Sequence, residues 1–580
     1  MQKPHHFFCI FTRSKTNSMR QFFTFLLLLL SIASFAQDEP EYYFTFSIQS
    51  KSELQELTRI ISIDRVSNNQ VWAYASPVEM QKFAALGYTY TKLTRPSLLN
   101  TRSITMATTT DQMANWDRYP TYEVYRAMMK HFEATYPTLC KLDSIGTTAN
   151  GRKIYMAKIS ANVAQSDGKP TVLLTSTMHG DETTGYVLML HLMDSLLSTY
   201  GQASGVTNLL DNAIVFINPD ANPDGTYYGG NSTVLGATRS NGSGIDPNRN
   251  FPDPWYGSHP DGNSWTLENQ AMMKFSTQNR IVLSANFHGG SEVVNYPWDY
   301  YTASQRKHPD EQWFIAVSQQ FANLAQTYGP TNYFTDVDYS GIIQGADWYS
   351  IKGGRQDYMT VFHHGREVTI EISSAKTPSS DQLPNYWNYL KRSFFSYMNQ
   401  VLTGVYGTVK NADGEAVMAD IIVASHDKDS SNVWSDSTNG TYYRLIYPGT
   451  YTFTYSATGY NTYQQSITIN SITDRVEQNI VLTKSTSNIG NNDSKLTASV
   501  NGNMTSIMFS TNKLATGQLS IYSIGGKLLG SGTVNIQPGI NQWPLEQCVS
   551  NSNSLAAGIY IVSLTVNGNR YSAKIPVIKQ

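Results

Sequence analysis

The alternation of apolar and polar positions divides the chain into segments with different secondary structure. Residues 40–97 predict the order β-α-β-β-α-β, with strand-like runs YYFTFSI, QVWAYAS and YTYTKL and helical runs SKSELQELTRII and PVEMQKFAALG. A polar stretch, NTRSITMATTTDQ, follows this small α+β unit and is typical of a linker.

From about residue 116 to residue 402 the pattern changes to that of an α/β domain. Strand-like runs such as PTVLLT and NAIVFINP alternate with helical runs such as TTGYVLMLHLMDSLLSTY and EQWFIAVSQQFANLAQTYG. These strands are largely apolar, which is typical of a sheet covered on both faces. The length of the segment suits a single enzyme domain.

The remainder of the chain predicts β-structure. Residues 403–484 contain short alternating strands separated by turn signals, as in a small β-sandwich. The stretch STSNIGNNDS is typical of a flexible linker and predicts a boundary over residues 485–495. Residues 496–580 are again all β.

Composition narrows the function classes. A chain of 580 residues has room for roughly three or four domains. Its formal net charge of −2 produces no positive electrostatic potential that would attract nucleic acid or an anionic membrane. The cysteines, Cys9, Cys140 and Cys548, lie far apart and predict neither a disulfide framework nor a cysteine-based metal site. Any metal ion must therefore be held by histidine and carboxylate side chains.

Residues 1–36 have the pattern of a signal peptide. Arg20 precedes an apolar run over residues 22–30 that is too short to span a bilayer, and Ser34-Phe35-Ala36 resembles a signal-peptidase site. The alternative is a short buried helix, and Met19 is a candidate for the true start. Because no later run is long enough to cross a membrane, we expect no transmembrane span.

Four stretches carry candidate chemistry, and the first joins a buried strand to a helix. In TVLLTSTMHGDETTGYVLML, His179 and Glu182 lie on one side of the strand-to-helix turn. Both side chains are good zinc ligands, and a catalytic zinc commonly takes its ligands from three side chains and a water. A glutamate in the first turn of a helix is also explained by the helix dipole alone.

The second stretch runs from INPDANPDGTYYGG to GATRSNGSGIDPNRNF. Its beginning resembles a calcium-binding EF-hand loop, but the last ligand position holds Asn231 instead of glutamate, so we reject calcium. The residues of interest are Arg239 and Arg249. Arg249 lies between two asparagines and can clamp a carboxylate by paired hydrogen bonds, whereas the alternative is surface charge on a loop.

The third and fourth stretches supply another histidine and an acidic strand. His288 follows an apolar run in SANFHGGSEVVNYPWDY and, taken alone, is explained as a core histidine. The strand REVTIEISS places Glu367, Thr369 and Glu371 on one face, where a buried glutamate needs a partner. Together the stretches offer two histidines and a glutamate for zinc, a further glutamate as general base, and two arginines to meet negative charge.

Five motifs occur in a fixed order over residues 116–402, and they are TMHGDET, NPDG, DPNRNF, LSANFHGGSEVVNYPWD and VTIEISSAKTP. With them the chain resembles the zinc metallocarboxypeptidases, and more closely their carboxypeptidase N/E (carboxypeptidase D-like) subfamily. Residues 403–484 resemble the transthyretin-like domain of that subfamily. We therefore expect an α/β catalytic domain with a mixed central sheet, preceded by a small α+β domain and followed by two small β-sandwich domains.

The resemblance implies the zinc site and the catalytic groups. The residues that match the ligands of one zinc ion are His179, Glu182 and His288. Glu371 matches the general acid/base that activates the attacking water, and Arg239 matches the residue that stabilises the carbonyl oxyanion.

The resemblance also implies how substrate is bound. Asn248 and Arg249 match the pair that binds the free C-terminal carboxylate, and Asp299 matches the acidic residue that receives a C-terminal Lys or Arg side chain. We expect a monomeric zinc metallocarboxypeptidase that acts on peptide or protein C-termini and prefers Lys or Arg. The alternatives are a family member acting on peptidoglycan-type or other amides, and a non-catalytic surface binding protein.

Two features depart from the family pattern. The family's mobile tyrosine is matched within GGRQDYMTVFHHGREVTIE, where Thr360 occupies its position and Tyr358 is the nearest tyrosine. We therefore expect either a rearranged loop or no tyrosine contact. Arg355 in the same loop would weaken the basic preference if it neutralised Asp299.

The domains that flank residues 106–402 carry their own expectations. Residues 37–105 are an inhibitory propeptide or an accessory module. Residues 496–580 resemble the C-terminal sorting domain of type IX secretion, through GQLSIYSIGGKLL, LAAGIYIVSLTVNG and the basic tail AKIPVIKQ, with a β adhesion module as the alternative. We expect export through the Sec pathway and then the outer membrane, with the secretion machinery as a partner, to a secreted or cell-surface location.

Overall fold

The computed structural model describes residues 41–580, except 100–102, 166, 486–495, 502–503, 512, 524–526, 546–554, 556–557 and 578–580. The predicted signal peptide lies outside the described residues, as does nearly all of the predicted linker over residues 485–495. Among the described residues, no helix combines the length and the apolarity that a membrane span requires.

The N-terminal unit, residues 41–99, has the predicted β-α-β-β-α-β order. Its strands are β1 (Tyr42–Ser47), β2 (Ser62–Ser67), β3 (Gln70–Ala75) and β4 (Tyr90–Leu93), and its helices are Lys51–Glu53, Leu54–Leu57 and Pro77–Ala84. The sheet order is β2-β3-β1-β4. Ser76 caps the helix Pro77–Ala84 in a capping box with Glu79, and Phe83 of that helix packs on Phe44 and Phe46. The unit thus has a core of its own.

The central unit, residues 103–402, is built around one mixed sheet. Its eight strands are β7 (Cys140–Thr147), β8 (Lys153–Ile159), β9 (Thr171–Ser176), β10 (Ile214–Asn218), β11 (Leu283–His288), β12 (Ser291–Tyr296), β13 (Ile342–Gln344) and β14 (Arg366–Ser373). The sheet order is β13-β12-β14-β11-β9-β10-β8-β7. Strands β9, β10, β11 and β14 run parallel, and β7 and β8 pair antiparallel with their neighbours. Strand β12 pairs antiparallel with β14 and parallel with β13.

Helices cover both faces of this sheet, as the apolar strands predict. The helices of more than one turn are Tyr122–Thr135, Thr184–Thr199, Ser204–Asn212, Leu267–Gln278, Glu311–Tyr328, Arg355–Phe362 and Leu383–Asn399, and the short ones are Pro223–Thr226 and Gly345–Trp348. Along β9, Val172 and Leu174 face one core and Leu173 faces the other. This alternation is the period of a strand buried on both sides.

The predicted linker after the N-terminal unit is partly ordered, so that prediction is wrong for residues 103–112. Strands β5 (Met106–Ala107) and β6 (Tyr119–Pro120) pair in parallel, and Thr110–Met113 forms a helical turn. The Thr105 amide donates a hydrogen bond of 2.8 Å to Ser380 Oγ. Pairing with distant residues has overridden the local preference of a polar stretch.

The last two units are all β. Residues 404–484 form two facing sheets from β15 (Gly404–Asn411), β16 (Asp420–Val423), β17 (Val433–Trp434), β18 (Thr441–Arg444), β19 (Gly449–Ser456), β20 (Tyr463–Ile469), β21 (Arg475–Glu477) and β22 (Ile480–Leu482). The final unit contains β23 (Leu496–Asn501), β24 (Met504–Thr511), β25 (Ala515–Ser523), β26 (Leu528–Ile536), β27 (Gly539–Pro544), β28 (Gly558–Val566) and β29 (Asn569–Val577).

A buried charge cluster joins the unit of residues 404–484 to the central unit. Asp310 forms ion pairs with Arg366 at 2.7 Å and with Arg444 at 3.0 Å. Because Arg366 begins β14, the cluster anchors the strand that carries Glu371.

Candidate active site

The candidate residues converge where neighbouring parallel strands end. His179 follows β9, His288 ends β11, and Glu371 lies in β14 in register with His288. Carboxyl ends of parallel strands meet at one edge of a sheet, where open α/β folds place their binding sites. All of the sequence-predicted site residues line one cavity at this edge, and they are His179, Glu182, Arg239, Asn248, Arg249, His288, Asp299 and Glu371.

Two histidines and a glutamate form a compact buried group. The potential ligand atoms of His179, Glu182 and His288 lie within 4.8 Å of one another. Nδ1 of His179 is 3.0 Å from Glu182 Oε1, and Nδ1 of His288 is 2.9 Å from Glu182 Oε2. The Nε2 atoms point outward, to Asp246 Oδ1 at 3.1 Å and to the Asn286 side chain at 2.6 Å.

This group fits a metal ion with nitrogen and oxygen ligands. The two Nδ1 atoms approach each other to 3.1 Å, so lone pairs converge on one point. Burial lowers the pKa of His288 to about 4, which keeps its imidazole neutral and able to bind a metal. Burial opposes ionisation of Glu182, but the charges of His179, Lys376 and His288 hold its pKa well below its usual range. Outer partners on each imidazole are typical of metal-binding histidines.

Glu371 and Arg239 face the same cavity. Oε2 of Glu371 is buried without a hydrogen-bond partner among the described residues. Burial, followed by the charge of Glu182, raises the pKa of Glu371 well above its ordinary value. Arg239 is held by Asp246 Oδ2 at 3.1 Å and Glu182 Oε1 at 3.2 Å. The pair combines a proton acceptor with a fixed cation.

Asn248 and Arg249 form one wall of the cavity. The Arg249 NH1 group donates to Asn248 O at 2.9 Å, while its Nε and NH2 groups are buried without a partner among the described residues. Asn248 Oδ1 accepts from the Arg355 amide at 2.9 Å. Unpaired guanidinium donors in a buried wall are costly unless a ligand with acceptor oxygens binds there.

Asp299 is not paired with Arg355, whose effect on Asp299 the sequence left open. Arg355 pairs with Glu367 at 2.8 Å and therefore does not neutralise Asp299. Instead, Asp299 Oδ1 accepts from Gln356 Nε2 at 2.9 Å. Burial raises the pKa of Asp299 to about 7, although the Asn295 side chain and the charge of Arg249 oppose the shift.

A tyrosine does line the cavity, but at a different position from the one the sequence match indicated. Thr360 is buried in the helix Arg355–Phe362 and does not line the cavity, so the match to Thr360 is wrong. Tyr349, which follows the short helix Gly345–Trp348, lies in the cavity. Burial raises its pKa to about 12 against the charges of Arg249 and Arg239, which leaves the phenol protonated as a donor.

The N-terminal unit covers this cavity. Ser62 Oγ donates to Asp246 at 2.6 Å, Tyr74 donates to Asp181 at 2.7 Å, and Asp64 pairs with Lys376 at 2.8 Å. Glu41 accepts from the Arg239 amide at 2.8 Å. With the unit in place the cavity holds about 30 Å³, which is roughly the volume of one water molecule.

Several of these functional residues escaped the sequence reasoning. Asp246, which orients His179, was already contained in the motif DPNRNF, so that motif could have identified it. Tyr349 lies in ADWYSIKGG, just before the glycine pair, and only its position beside the cavity distinguishes it from other tyrosines. Lys376 was contained in the motif VTIEISSAKTP, whereas Asp64 carried no local signal because its partner is distant in sequence.

Comparison with known proteins agrees with this arrangement. The model of the family described as zinc carboxypeptidase matches residues 125–393. Human carboxypeptidase D is 35% identical over 395 residues, which cover 65% of this chain and 27% of that protein. Mouse carboxypeptidase M is 32% identical over 376 residues, covering 61% of this chain and 81% of that protein.

The match to carboxypeptidase D spans only about a quarter of its length. Among solved structures, carboxypeptidase A from Helicoverpa armigera is 17% identical, with a TM-score of 0.49, over 62% of this chain and 98% of that chain.

Proposed function

Because this chain belongs to the zinc carboxypeptidase family, we propose that it removes the C-terminal residue from peptides or proteins. The observation that carries the proposal is the Arg249 side chain. Its buried, unpaired Nε and NH2 groups share one cavity with Glu371 and the His-Glu-His group. A carboxylate bound to those donors has a free chain end, and this requirement distinguishes an exopeptidase from an endopeptidase.

His179, Glu182 and His288 would hold the zinc ion. When bound, zinc supplies Lewis acidity that polarises the scissile carbonyl and makes the attacking water more acidic. Asp246 and Asn286 fix the two imidazoles through their Nε2 atoms.

Glu371 acts as general base and then as general acid. It takes a proton from the water as the oxygen bonds to the scissile carbon, and it delivers that proton to the leaving nitrogen as the C–N bond breaks. Its unpaired Oε2 in the cavity supports this role. Arg239 donates to the carbonyl oxygen as negative charge develops there, and Tyr349 offers a second donor on the same cavity wall.

Asp299 favours a C-terminal Lys or Arg. The carboxylate is buried, and in the closed cavity its neighbour is the neutral amide of Gln356. A cationic substrate side chain would supply the missing counter-charge, whereas an apolar side chain would leave it unpaired. Gly345 keeps space beside Asp299, because a Cβ there would lie 2.1 Å from Asp299 Oδ1.

The preference for basic residues is expected to increase with pH. With its pKa raised to about 7, Asp299 is mostly neutral below that pH and anionic above it. The ratio of kcat/KM for Arg-ended to Leu-ended peptides should therefore rise between about pH 6 and pH 8, since kcat/KM reports ionisations of the free enzyme. Assays with peptides that end in Arg, Lys, Leu or Glu test both this pH dependence and the proposed activity. The zinc content of the protein is measured in the same samples.

In Asp299→Ala the pH dependence of that ratio should vanish. Losing one partner of a buried charge pair costs about 2 kcal/mol or more, which is roughly a 30-fold loss of kcat/KM for Arg-ended peptides. The matched control is Asp347→Ala, since Asp347 is an exposed acid on the neighbouring short helix. An unchanged Arg-to-Leu ratio in Asp299→Ala contradicts the specificity role.

We propose further that the chain is made in a latent form. The N-terminal unit places Ser62, Asp64 and Tyr74 against the groups that surround the metal site. A cavity of about 30 Å³ cannot hold a peptide, because even drug-sized ligands need pockets of about 300 Å³ or more. This supports an inhibitory propeptide over an accessory module.

The remaining proposals concern location. Residues 404–484 act as a transthyretin-like domain that braces the catalytic unit, supported by the contact of Arg444 with Asp310. Residues 496–580 act as a sorting domain for type IX secretion, and the protein is secreted or attached to the cell surface.

Deleting residues 496–580 is expected to leave the protein in the periplasm of a host that has this secretion system. Cell fractionation and immunoblotting measure the distribution. Carboxypeptidase activity in the periplasmic fraction is the control that the shortened chain has folded. Normal export of the shortened chain contradicts the sorting role.

A further inference from the structure

Lys376 is a buried lysine at the edge of the cleft that the proposed reaction does not use. Its Nζ atom lies 2.7 Å from Glu182 Oε1 and 2.8 Å from Asp64 Oδ1. Lys376 O accepts from the Thr183 amide at 2.9 Å, and Thr377 Oγ1 donates to Asp181 O at 2.9 Å. The segment after β14 is therefore tied to the segment that carries Glu182, and the ammonium group has a fixed place.

The glycine pair after β11 makes room for this lysine. Gly290 has φ +118, a conformation that side chains rarely adopt, and a Cβ there would lie 3.4 Å from Lys376 Nζ and from Cε. Gly290 also lines the cavity, which places the lysine head group directly behind the cavity wall. The space beside the glycine pair is thus taken by Lys376.

While the N-terminal unit covers the cavity, the carboxylate of Asp64 contacts Lys376. The register between β2 and β3 shifts between Ile63 and Arg65, so Asp64 is the extra residue of a β-bulge. A bulge redirects a side chain out of the regular alternation. Asp64 lines the cavity, where it meets Lys376 in place of a substrate group.

Lys376 and Arg249 occupy different ends of the site. The Lys376 Nζ atom contacts Asp64 and Glu182 and lies beside Gly290 of the cavity wall. At the Arg249 end, Asn248 Oδ1 accepts a hydrogen bond from the Arg355 amide, and the next residue, Gln356, donates to Asp299. Glu182 contacts Lys376 directly and belongs to the metal-binding group. A peptide with its C-terminal carboxylate at Arg249 and its scissile bond at the metal group therefore extends its preceding residues toward Lys376.

We propose that Lys376 forms a carboxylate-binding subsite for an Asp or Glu side chain located just before the residue that is cleaved off. The inference rests on the proposed carboxypeptidase function. Release of the N-terminal unit removes Asp64 and leaves one donor of a buried ammonium group without its partner. A substrate carboxylate restores that hydrogen bond, and hydrogen bonds to charged groups are worth more than neutral ones.

The test measures peptide binding without turnover. It uses the full chain carrying Glu371→Gln, cut between Leu99 and Ser103 and separated from the N-terminal unit. The central unit keeps its main core, whose buried residues run from Ala107 to Leu445. Zinc-loaded protein is titrated by calorimetry with acetylated peptides that end in Ala-Asp-Arg or Ala-Asn-Arg.

The aspartate peptide is expected to bind about 10-fold more tightly than the asparagine peptide, as one charge-assisted hydrogen bond predicts. Lys376→Gln should abolish this difference and Lys376→Arg should retain it. Lys352→Gln is the matched control, because Lys352 stacks on Tyr256 away from the metal group. It should leave the difference unchanged.

Equal affinities in the parent protein overturn the subsite and leave the proposed function intact. A difference that persists in Lys376→Gln also overturns it. If neither peptide binds, both the subsite and the proposed function fail.

Discussion

Replacing Glu371 with glutamine is expected to lower kcat by about 10²–10⁴-fold, the usual contribution of a general acid or base, while zinc stays bound. Glutamine has nearly the same shape, and the buried Oε2 atom of Glu371 has no hydrogen-bond partner among the described residues to lose. The substitution therefore removes the proton acceptor and little else. Steady-state kinetics with an Arg-ended peptide and metal analysis of the same sample measure the two quantities.

The control for this substitution is Glu123→Gln, which changes an exposed glutamate in the helix Tyr122–Thr135 and should leave kcat unchanged. Turnover that survives in zinc-loaded Glu371→Gln would contradict the assignment of the base. Loss of zinc from that variant would contradict it too, because Glu371 would then belong to the metal site.

Separating the N-terminal unit from the rest of the chain is expected to raise kcat/KM by about 100-fold, if roughly 1% of intact molecules are open. Only molecules in which the N-terminal unit has moved off the cavity bind substrate. Releasing the unit therefore removes the free-energy cost of opening the cavity. A protease site inserted between Leu99 and Ser103 allows the cut, and peptide assays before and after removal of the freed unit measure the gain. Zinc content is determined in both samples.

Asp64→Asn tests inhibition by the N-terminal unit in the uncut chain. It weakens the pair between Asp64 and Lys376, so part of the gain should appear without cutting. Glu56→Gln is the matched control, because Glu56 is an exposed acid of the same unit that pairs with Arg59. Equal activity of intact and separated zinc-loaded protein would show that the unit does not inhibit.

Local sequence patterns supplied the candidates for the metal-binding group, and the resemblance to a known family assigned them. His179 and Glu182 share one turn between a buried strand and a helix, and His288 ends a buried strand. Period-two alternation along β14 also placed Glu371 on the same face as Thr369, and both line the cavity. These features depend on short-range geometry, which a sequence specifies directly.

Contacts between residues that are distant in sequence could not be predicted from such local patterns. The sequence left open whether Arg355 neutralises Asp299, and the structure pairs Arg355 with Glu367 on the adjoining strand. It also matched Thr360 to the family's tyrosine position, whereas the tyrosine that lines the cavity is Tyr349. In both cases helical geometry decided where a side chain points, and counting residues along a loop cannot supply that direction.

By itself the sequence determined the order of the units, the strand and helix periods, and the residue types that can bind zinc, because these follow from local patterns. Only the tertiary structure decided that the N-terminal unit covers the cleft, that a β-bulge directs Asp64 to Lys376, and that Asp299 accepts a hydrogen bond from Gln356 while Arg355 pairs elsewhere. The physical reason is that charge pairs form between groups brought together by folding. Their partners lie far apart in the chain, so no local spacing encodes them.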